Sequence, residues 1–161
     1  MTQVRVCLAD YKDPMQREAL LLLLDAYACD PAGGAAPLSE FVRTHLLDEL
    51  AKRPAAFSVL AFDGPTPVGL VNCFEGFSSF ACKPLVNVHD VVVLAAHRGR
   101  RIAQLMLAKV EEIAHERGAC KLTLEVLTGN TQAIKAYERE GFAAYQLDPS
   151  FGTATFMQKK L

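Results

Sequence analysis

The stretch that most constrains the fold of this chain is an apolar strand that leads through an arginine-rich turn into an amphipathic helix. Residues 86–94 are almost continuously hydrophobic and rich in valine, which predicts a strand in the interior of a sheet. After the basic turn at residues 97–103, apolar side chains recur at helical spacing until Gly118, a residue typical of helix ends. Residues 121–126 then alternate as a second strand. Such a strand–helix–strand unit predicts two parallel neighbouring strands joined by a right-handed crossover.

Segments on both sides of this unit extend the same architecture. Apolar periodicity, interrupted by glycine and proline, predicts each of them. In chain order they are a strand at 4–9, helices at 15–29 and from Ser39 to about Lys52, strands at 56–62 and 68–77, a short helix from Asn130 that ends before Gly141, and strands at 142–147 and 153–159. The order β-α-α-β-β-β-α-β-α-β-β predicts an α/β fold (α+β in some schemes). We expect a mixed central sheet flanked by about four helices, in a single domain over residues 1–161.

The composition is that of a compact globular domain and excludes several classes of function. Hydrophobic residues make up 51% of the chain, and its 17 basic residues almost balance 18 acidic ones, which disfavours a polyanion-binding surface. The five cysteines are scattered without a Cys-x-x-Cys pair, so neither a disulfide framework nor a zinc site is predicted, and no metal is expected. The N-terminus lacks a signal-peptide pattern, and the longest apolar run, residues 19–24, is too short to span a bilayer. We expect a cytoplasmic protein that binds neither membrane nor nucleic acid.

The basic turn lies where a helix binds anions. The first amides of a helix have no partner within it, and the helix dipole presents its positive end there. Arginines at that end oppose the dipole, which favours an anionic ligand as the reason for their presence. We expect the amides of residues 100–103 to bind cofactor phosphates, with Arg98 and Arg101 adding charge-assisted hydrogen bonds. The alternatives are a solvated helix start and a nucleic-acid contact.

Two motifs between residues 86 and 142 carry a family resemblance. Arg98, Arg101 and Ala103 occupy the first, fourth and sixth positions of the pattern Arg/Gln-x-x-Gly-x-Gly/Ala, with arginine in place of the first glycine. The second pattern, Asn-x-x-Ala-x-x-x-Tyr-x-x-x-Gly-Phe, is matched at every named position by Asn130, Ala133, Tyr137, Gly141 and Phe142. With these motifs, and with nearly the whole chain in element order, the sequence resembles the GNAT superfamily of acyl-CoA-dependent N-acetyltransferases.

The resemblance implies an enzyme in which an amine attacks the thioester of acetyl-CoA directly. Tyr137 matches the general acid that protonates the leaving thiolate, a role that suits a phenol because it stays protonated at neutral pH. Asn130 matches a residue that caps its helix and contacts the cofactor or an ordered water, and the strand at Val91–Val93 offers backbone groups to the pantetheine arm. The residues expected to bind the cofactor are Val91, Val92, Val93, Arg98, Gly99, Arg100, Arg101, Ile102, Ala103, Asn130, Ala133 and Tyr137.

The base is predicted less directly. The family often places an acidic residue on the central strand, and Asp90 stands there among valines, where an unpaired carboxylate would be costly to bury. An ion pair and a contact with a cationic substrate are alternatives for Asp90, and Glu75 on the preceding strand competes for the role of base. His89 points to the opposite face if the strand is regular, although a bulge would change that. Glu75, Phe77 and Asp90 are the residues expected to contact the substrate.

We expect transfer of acetyl to a primary amine of a small molecule. Acetylation of a protein or peptide amine is an alternative, and so is a non-catalytic acyl-CoA-binding or sensing domain, which the arginine at position 101 suggests. A nucleic-acid-binding domain is disfavoured because the chain is nearly neutral and lacks a recognised motif. Homodimers are common in the family that the chain resembles.

Overall fold

The computed structural model describes residues 4–161, which form two compact units that separate after Leu124. That the chain is a single domain stays a prediction. The elements of the first unit are β1 (Val4–Leu8), α1 (Pro14–Cys29), α2 (Glu40–Ala51), β2 (Ala56–Asp63), β3 (Thr66–Ser78), β4 (Lys83–Val93), α3 (Ile102–Glu116) and β5 (Leu122–Leu124), with a single 3₁₀ turn at Ala95–His97.

The first unit is built on one mixed sheet with the strand order β1-β2-β3-β4-β5. The first three pairings are antiparallel, and β4 pairs with β5 in parallel, from Val86 opposite Leu122 to Val88 opposite Leu124. This confirms the predicted mixed sheet and the interior position of β4. The strand predicted at 121–126 is shorter in the structure because β4 bulges at the next residue, and a bulge bends its strand away from regular pairing.

Helices α1 and α2 cover one face of the sheet. Each begins at a side-chain cap: Asp13 accepts from the amide of Met15 at 2.9 Å, and Ser39 accepts from the amide of Val42 at 3.3 Å. Their leucines form one core with the side chains that the even-numbered residues of β2 and β3 turn toward them. The buried members of this core are Ala19, Leu20, Leu23, Leu47, Leu50, Ala56, Leu60, Phe62, Leu70 and Val92.

Helix α3 covers the opposite face. Its buried side chains recur every three or four residues and include Ile102, Met106 and Val110, which is the apolar stripe that the sequence predicted. The helix passes so close to β3 that a Cβ atom added to Gly69 would lie 2.8 Å from the terminal carbon of Met106. Glycine at this position therefore permits the first turns of α3 to lie directly on the sheet.

The second unit contains α4 (Thr131–Arg139) and a 3₁₀ turn at Pro149–Phe151. The strands predicted at 142–147 and 153–159 are wrong in their extent, since the two segments share only one isolated bridge, between Gln146 and Thr153. The Asp148 carboxylate accepts from the amide of Ser150 at 2.9 Å and thereby winds the connection into the 3₁₀ turn. Apart from Phe142 the side chains of both segments are exposed, and a two-stranded ribbon without a buried apolar face is marginal in water.

Candidate functional site

The turn before α3 has the backbone conformation of a glycine-containing loop, although an arginine stands at its last position. Gly99 has φ +78° and Arg101 has φ +61° with ψ 20°, so both are left-handed. The first intrahelical bond runs from the amide of Leu105 to the carbonyl of Arg101, at 3.1 Å. By helix geometry the amides of Ile102 to Gln104 lie at the open N-terminus of α3. Arg101 thus takes a left-handed conformation, which glycine adopts without strain.

The two other arginines of the turn are held by carboxylates of the first unit. The Arg98 guanidinium donates to the Val93 carbonyl at 3.1 Å and to the Asp30 carboxylate at 3.2 Å. Arg100 donates to Asp63 at 2.6 Å. Arg101 is exposed, and its side chain makes no hydrogen bond to another residue among 4–161. The turn therefore contains one arginine that makes no such bond within this part of the chain, Arg101, and two arginines that are each paired with a carboxylate.

Beside this turn, β4 presents an edge that β5 does not cover within the first unit. The parallel pairing ends at Val88, whereas β4 continues to Val93. The amide of Leu94 donates to the Val68 carbonyl of β3 at 3.0 Å. Peptide groups alternate in direction along a strand, so those of Val92 also point to β3 while those of Val91 and Val93 point to this edge. The Val92 side chain is buried in the core. Of the three valines predicted to contact a cofactor, only Val91 and Val93 turn their backbones outward.

Asp90 lies at the end of a polar row on the face that α1 and α2 cover. Ser58, Asn72 and Asp90 stand directly opposite one another on three neighbouring strands. Asn72 donates from Nδ2 to Asp90 Oδ2 at 3.1 Å. On α1, burial raises the pKa of the Tyr27 phenol, and the negative charges of Asp90 and then Asp30 raise it further. A carboxylate close to a phenol at the end of α1 makes this region suited to a cationic group.

Glu75 is not brought together with Asp90. Odd-numbered residues of β3 face α3, and the Glu75 carboxylate accepts from Arg117 at 3.1 Å, just beyond the end of that helix. The Arg117 guanidinium also lies over the Phe57 ring, 4.5 Å from its centroid. Phe77, two residues along β3, is 64% exposed. The two acids that the sequence offered as competing bases therefore lie on opposite faces of the sheet, and Glu75 is tied in an ion pair.

His89 is the residue whose position the sequence left open. It is the extra residue of the β4 bulge, because Val88 pairs with Cys73 and Asp90 pairs with Asn72. The bulge turns the His89 ring to the same face as Asp90, where Nδ1 lies 3.4 Å from Asp90 Oδ1. A histidine beside an aspartate in a valine-rich strand was the available signal, but a regular two-residue period would have separated the two side chains.

The second motif forms a capped helix in the second unit. Asn130 Oδ1 accepts from the Ala133 amide at 3.2 Å at the N-terminus of α4. At its other end Gly141 has φ +88°, and the amide of Phe142 donates to the Tyr137 carbonyl at 3.1 Å, which is a Schellman arrangement. The Phe142 ring meets the edge of the Tyr137 ring at a centroid distance of 5.9 Å. The motif spacing thus fixes both ends of the helix and the ring of Tyr137.

Solved structures of several acetyltransferases share this fold. An aminoglycoside acetyltransferase, meta-AAC0020 from an uncultured soil metagenomic sample, is 14% identical with a TM-score of 0.78 over 98% of this chain and 96% of that chain. AAC(6')-Iy, solved with the bisubstrate analogue CoA-S-monomethyl-acetylneamine, is 15% identical with a TM-score of 0.78 over 99% of this chain and 100% of that chain. A ribosomal-protein-alanine N-acetyltransferase from Brucella melitensis biovar Abortus 2308 is 22% identical with a TM-score of 0.72 over 98% of this chain and 100% of that chain. At these identities the likeness shows the fold alone.

The sequence places the chain within a family. The acetyltransferase (GNAT) family pattern matches residues 22–142, well over half of the chain, and the chain belongs to this family. Streptothricin acetyltransferase from Streptomyces lavendulae is 38% identical over 84 residues. That match covers 51% of this chain and 44% of that protein, so the similarity spans less than half of the relative's length.

Two further observations bear on cofactors and on membranes. Within residues 4–161 the side chains of His, Cys, Asp and Glu form no group of three or more that could hold a metal ion. In the same part of the chain, every helix falls short of the length and apolar character that crossing a bilayer would require.

Proposed function

We propose that this chain transfers acetyl from acetyl-CoA to a primary amine of a small molecule, by direct attack of the amine in a ternary complex. The observation that carries the proposal is the left-handed turn at Gly99 and Arg101, which opens the N-terminus of α3 and follows a part of β4 that β5 leaves unpaired within the first unit. Open helix amides bind phosphate groups, and an open strand edge binds an extended amide chain. Acetyl-CoA has both parts, since its pyrophosphate is joined to the amide-containing pantetheine arm.

Different residues bind the pyrophosphate, the pantetheine arm and the amine. The amides of the first turn of α3 hold the pyrophosphate, and Arg101 and Arg98 add charge. Val91 and Val93 bind the pantetheine arm through their backbones, with the Val93 carbonyl available once Arg98 turns to phosphate. The cofactor supplies an activated acetyl thioester. Asp90 attracts the cationic amine on the face of the sheet that α1 and α2 cover. On that face the negative charge of Asp90 also contributes to the raised pKa of Tyr27, after burial.

Tyr137 is the proposed general acid, which donates a proton to the departing sulfur. The assignment rests on its place in the second motif and on the packing that fixes its ring against Phe142. A phenol is protonated at neutral pH and is therefore able to donate as negative charge develops on sulfur. Asn130 has the supporting role of capping α4 at Ala133.

Several features support a small, cationic amine as the substrate. Streptothricin acetyltransferase is a sequence relative, and AAC(6')-Iy was solved with an analogue that joins CoA to an acetylneamine. The ribosomal-protein-alanine N-acetyltransferase among the similar structures keeps a peptide amine as the alternative. A non-catalytic acyl-CoA-binding domain is disfavoured, because the arginine that suggested it adopts a left-handed conformation of the kind that glycine permits and leaves the first amides of α3 open.

The test begins with calorimetric titration of the purified protein with acetyl-CoA and with CoA. Micromolar binding of both is expected, followed by thiol release when a panel of amines is added. The panel contains streptothricin-like and aminoglycoside amines, polyamines, free amino acids and a peptide with a free N-terminus. Binding without acetylation of any amine would favour the acyl-CoA-binding domain, and acetylation of the peptide alone would favour a protein substrate. Absence of binding would refute the proposal.

A further inference from the structure

The bulge in β4 creates a histidine–aspartate pair that the proposed function leaves unused. His89 Nδ1 lies 3.4 Å from Asp90 Oδ1, and the His89 side chain is 56% exposed. Its ring packs at a right angle against Phe74, with centroids 5.4 Å apart and an interplanar angle of 83°. Phe74 packs against the core beneath α1 and α2, so the ring is fixed on one side and accessible on the other.

The aspartate of this pair is held by a chain of hydrogen bonds that runs across the sheet. Tyr11 Oη lies 2.8 Å from Ser58 Oγ, Ser58 donates to Asn72 Oδ1 at 2.6 Å, and Asn72 donates to Asp90 Oδ2. Ser58 is 0% exposed and Asn72 is 5% exposed. They are the buried polar residues of the described part of the protein, and they are hydrogen-bonded to each other.

The donor-to-acceptor direction of this row of hydrogen bonds follows from the number of protons that each group carries. Ser58 has one hydroxyl proton and gives it to Asn72, so Tyr11 must be the donor to Ser58. Every donor therefore points toward Asp90, and a carboxylate is the group that accepts without donating. The chain holds one carboxylate oxygen in place and leaves the other, Oδ1, facing His89.

We infer that His89 accepts the proton of the substrate ammonium and that Asp90 positions it, with Asn72, Ser58 and Tyr11 as the anchor behind Asp90. The inference rests on the proposed function and assigns its base. A carboxylate accepts from Nδ1, so that nitrogen carries the proton and Nε2 keeps its lone pair on the accessible side of the ring. An ordinary imidazole titrates near ~6.5 and an ordinary aspartic acid near ~3.9, so imidazole is the stronger base at neutral pH.

The groups around His89 are a carboxylate, a phenol and two side chains that do not ionise. On β4 its neighbour is Asp90, and on β3 the facing groups are Phe74 and Asn72, which do not ionise. On α1 the phenol of Tyr27 has a pKa raised by burial and by the Asp90 charge, so it titrates well above neutral pH. Loss of activity as the pH falls is therefore expected to report His89.

Protons and electron pairs balance over the reaction. The ammonium gives one proton to Nε2 of His89, and the amine lone pair then forms the C–N bond at the thioester carbon. The C–S bond breaks, its electron pair leaves with sulfur, and Tyr137 protonates that sulfur. The surplus proton on the new amide nitrogen restores the phenol through solvent, and His89 releases its proton to solvent. One ammonium ion and one thioester give one amide, one thiol and one proton.

The inference is tested by the pH dependence of kcat/KM in His89→Gln and Asp90→Asn, with the amine found in the panel. Glutamine keeps a polar side chain but does not titrate, so H89Q is expected to lose about 10²- to 10⁴-fold at neutral pH and to lose the acid limb. D90N is expected to be slower than the wild type while keeping an acid limb. His45→Gln is the matched control, because His45 is an exposed histidine of α2 that bonds its own helix at Phe41. An H89Q as active as H45Q, or an acid limb lost in D90N and kept in H89Q, would overturn the inference.

A second measurement separates this inference from the proposed function. If the wild-type protein acetylates no amine, the proposed function fails, and the pair is examined by ¹⁵N NMR of the His89 ring. A carboxylate that accepts from Nδ1 holds the proton on that nitrogen, so the tautomer protonated at Nδ1 should lose population in D90N. Unchanged ring ¹⁵N shifts in D90N would show that the two side chains do not interact and would overturn the inference on its own.

Discussion

Arg98 Nη2 lies 3.2 Å from Asp30 Oδ2, and this contact joins the turn before α3 to the residue that ends α1. The two side chains are 53% and 32% exposed. The pKa of Asp30 is lowered mainly by the amide of Ala32 and only then by Arg98. Asp30 therefore keeps the Ala32 amide as a partner when the arginine moves away, and we expect the guanidinium to exchange this carboxylate for a cofactor phosphate.

The first prediction concerns Arg98→Ala and Asp30→Asn. Both remove the same ion pair, but only the first removes the cation, so R98A should weaken acetyl-CoA binding by about 10- to 100-fold while D30N binds at least as tightly as the wild type. Both should leave the stability nearly unchanged, because exposed ion pairs contribute little. Calorimetry and urea unfolding measure the two effects. An equal loss of affinity in both variants would mean that Arg98 acts only through Asp30.

The parts of the fold that were predictable are those that a local pattern determines. Valine content placed β4 inside the sheet, helical spacing from Ile102 placed α3, and the Asn130 motif placed α4. Each depends on neighbouring residues alone. The last two strands were over-predicted because alternation records which side chains are apolar and not whether a surface exists to bury them.

The parts of the site that were not predictable depend on register and on distant partners. The single extra residue at His89 reverses which face of the sheet the later side chains of β4 point to, and no local sequence pattern predicts it. The partner of Glu75 is Arg117, 42 positions away along the chain. Motifs therefore identified the turn and α4, whereas the roles of His89, Asp90 and Glu75 required the pairing of β3 with β4.

A second prediction follows from the burial of Cys73. Burial raises the pKa of this thiol to about 12, and the side chain is 1% exposed, so its thiolate is scarce and inaccessible. Cys29, Cys82 and Cys120 are exposed. Treatment of the folded protein with iodoacetamide at mildly alkaline pH should alkylate these three and spare Cys73, as measured by peptide mass spectrometry. Denaturant should abolish the protection, and rapid labelling of Cys73 in the folded protein would contradict the buried position.

A third prediction concerns the left-handed backbone of Arg101. A residue with a Cβ atom is strained at φ +61°, and glycine is not, so Arg101→Gly should raise the free energy of unfolding by about 1 kcal/mol. The matched variant is Gly99→Ala, where φ is +78° and no atom lies within 4 Å of the added carbon. It should lower stability by a similar amount through strain alone. Urea unfolding measures both changes, from the midpoints of curves whose denaturant dependence is unchanged. A destabilised R101G would show that the contacts of the arginine side chain stabilise the fold by more than the left-handed backbone destabilises it.

The last prediction isolates the hydroxyl of Tyr137. Phenylalanine keeps the ring that packs on Phe142 at 5.9 Å, and the Schellman closure at Gly141 uses backbone atoms only, so α4 should persist in Tyr137→Phe. The variant lacks a proton donor for the departing sulfur, and kcat should fall by about 10²- to 10⁴-fold while acetyl-CoA affinity stays within experimental error.

Tyr145→Phe is the control for this experiment, because it removes a phenol hydroxyl from the same unit at a residue that is 57% exposed and outside the motif. It should leave kcat unchanged. A thermal melt of both variants checks that neither has unfolded. The loss should also be smaller for an acyl donor whose leaving thiol is more acidic, since such a thiolate departs without protonation. A Tyr137→Phe enzyme that turns over at the wild-type rate with acetyl-CoA would remove the phenol from the mechanism and leave solvent as the proton donor.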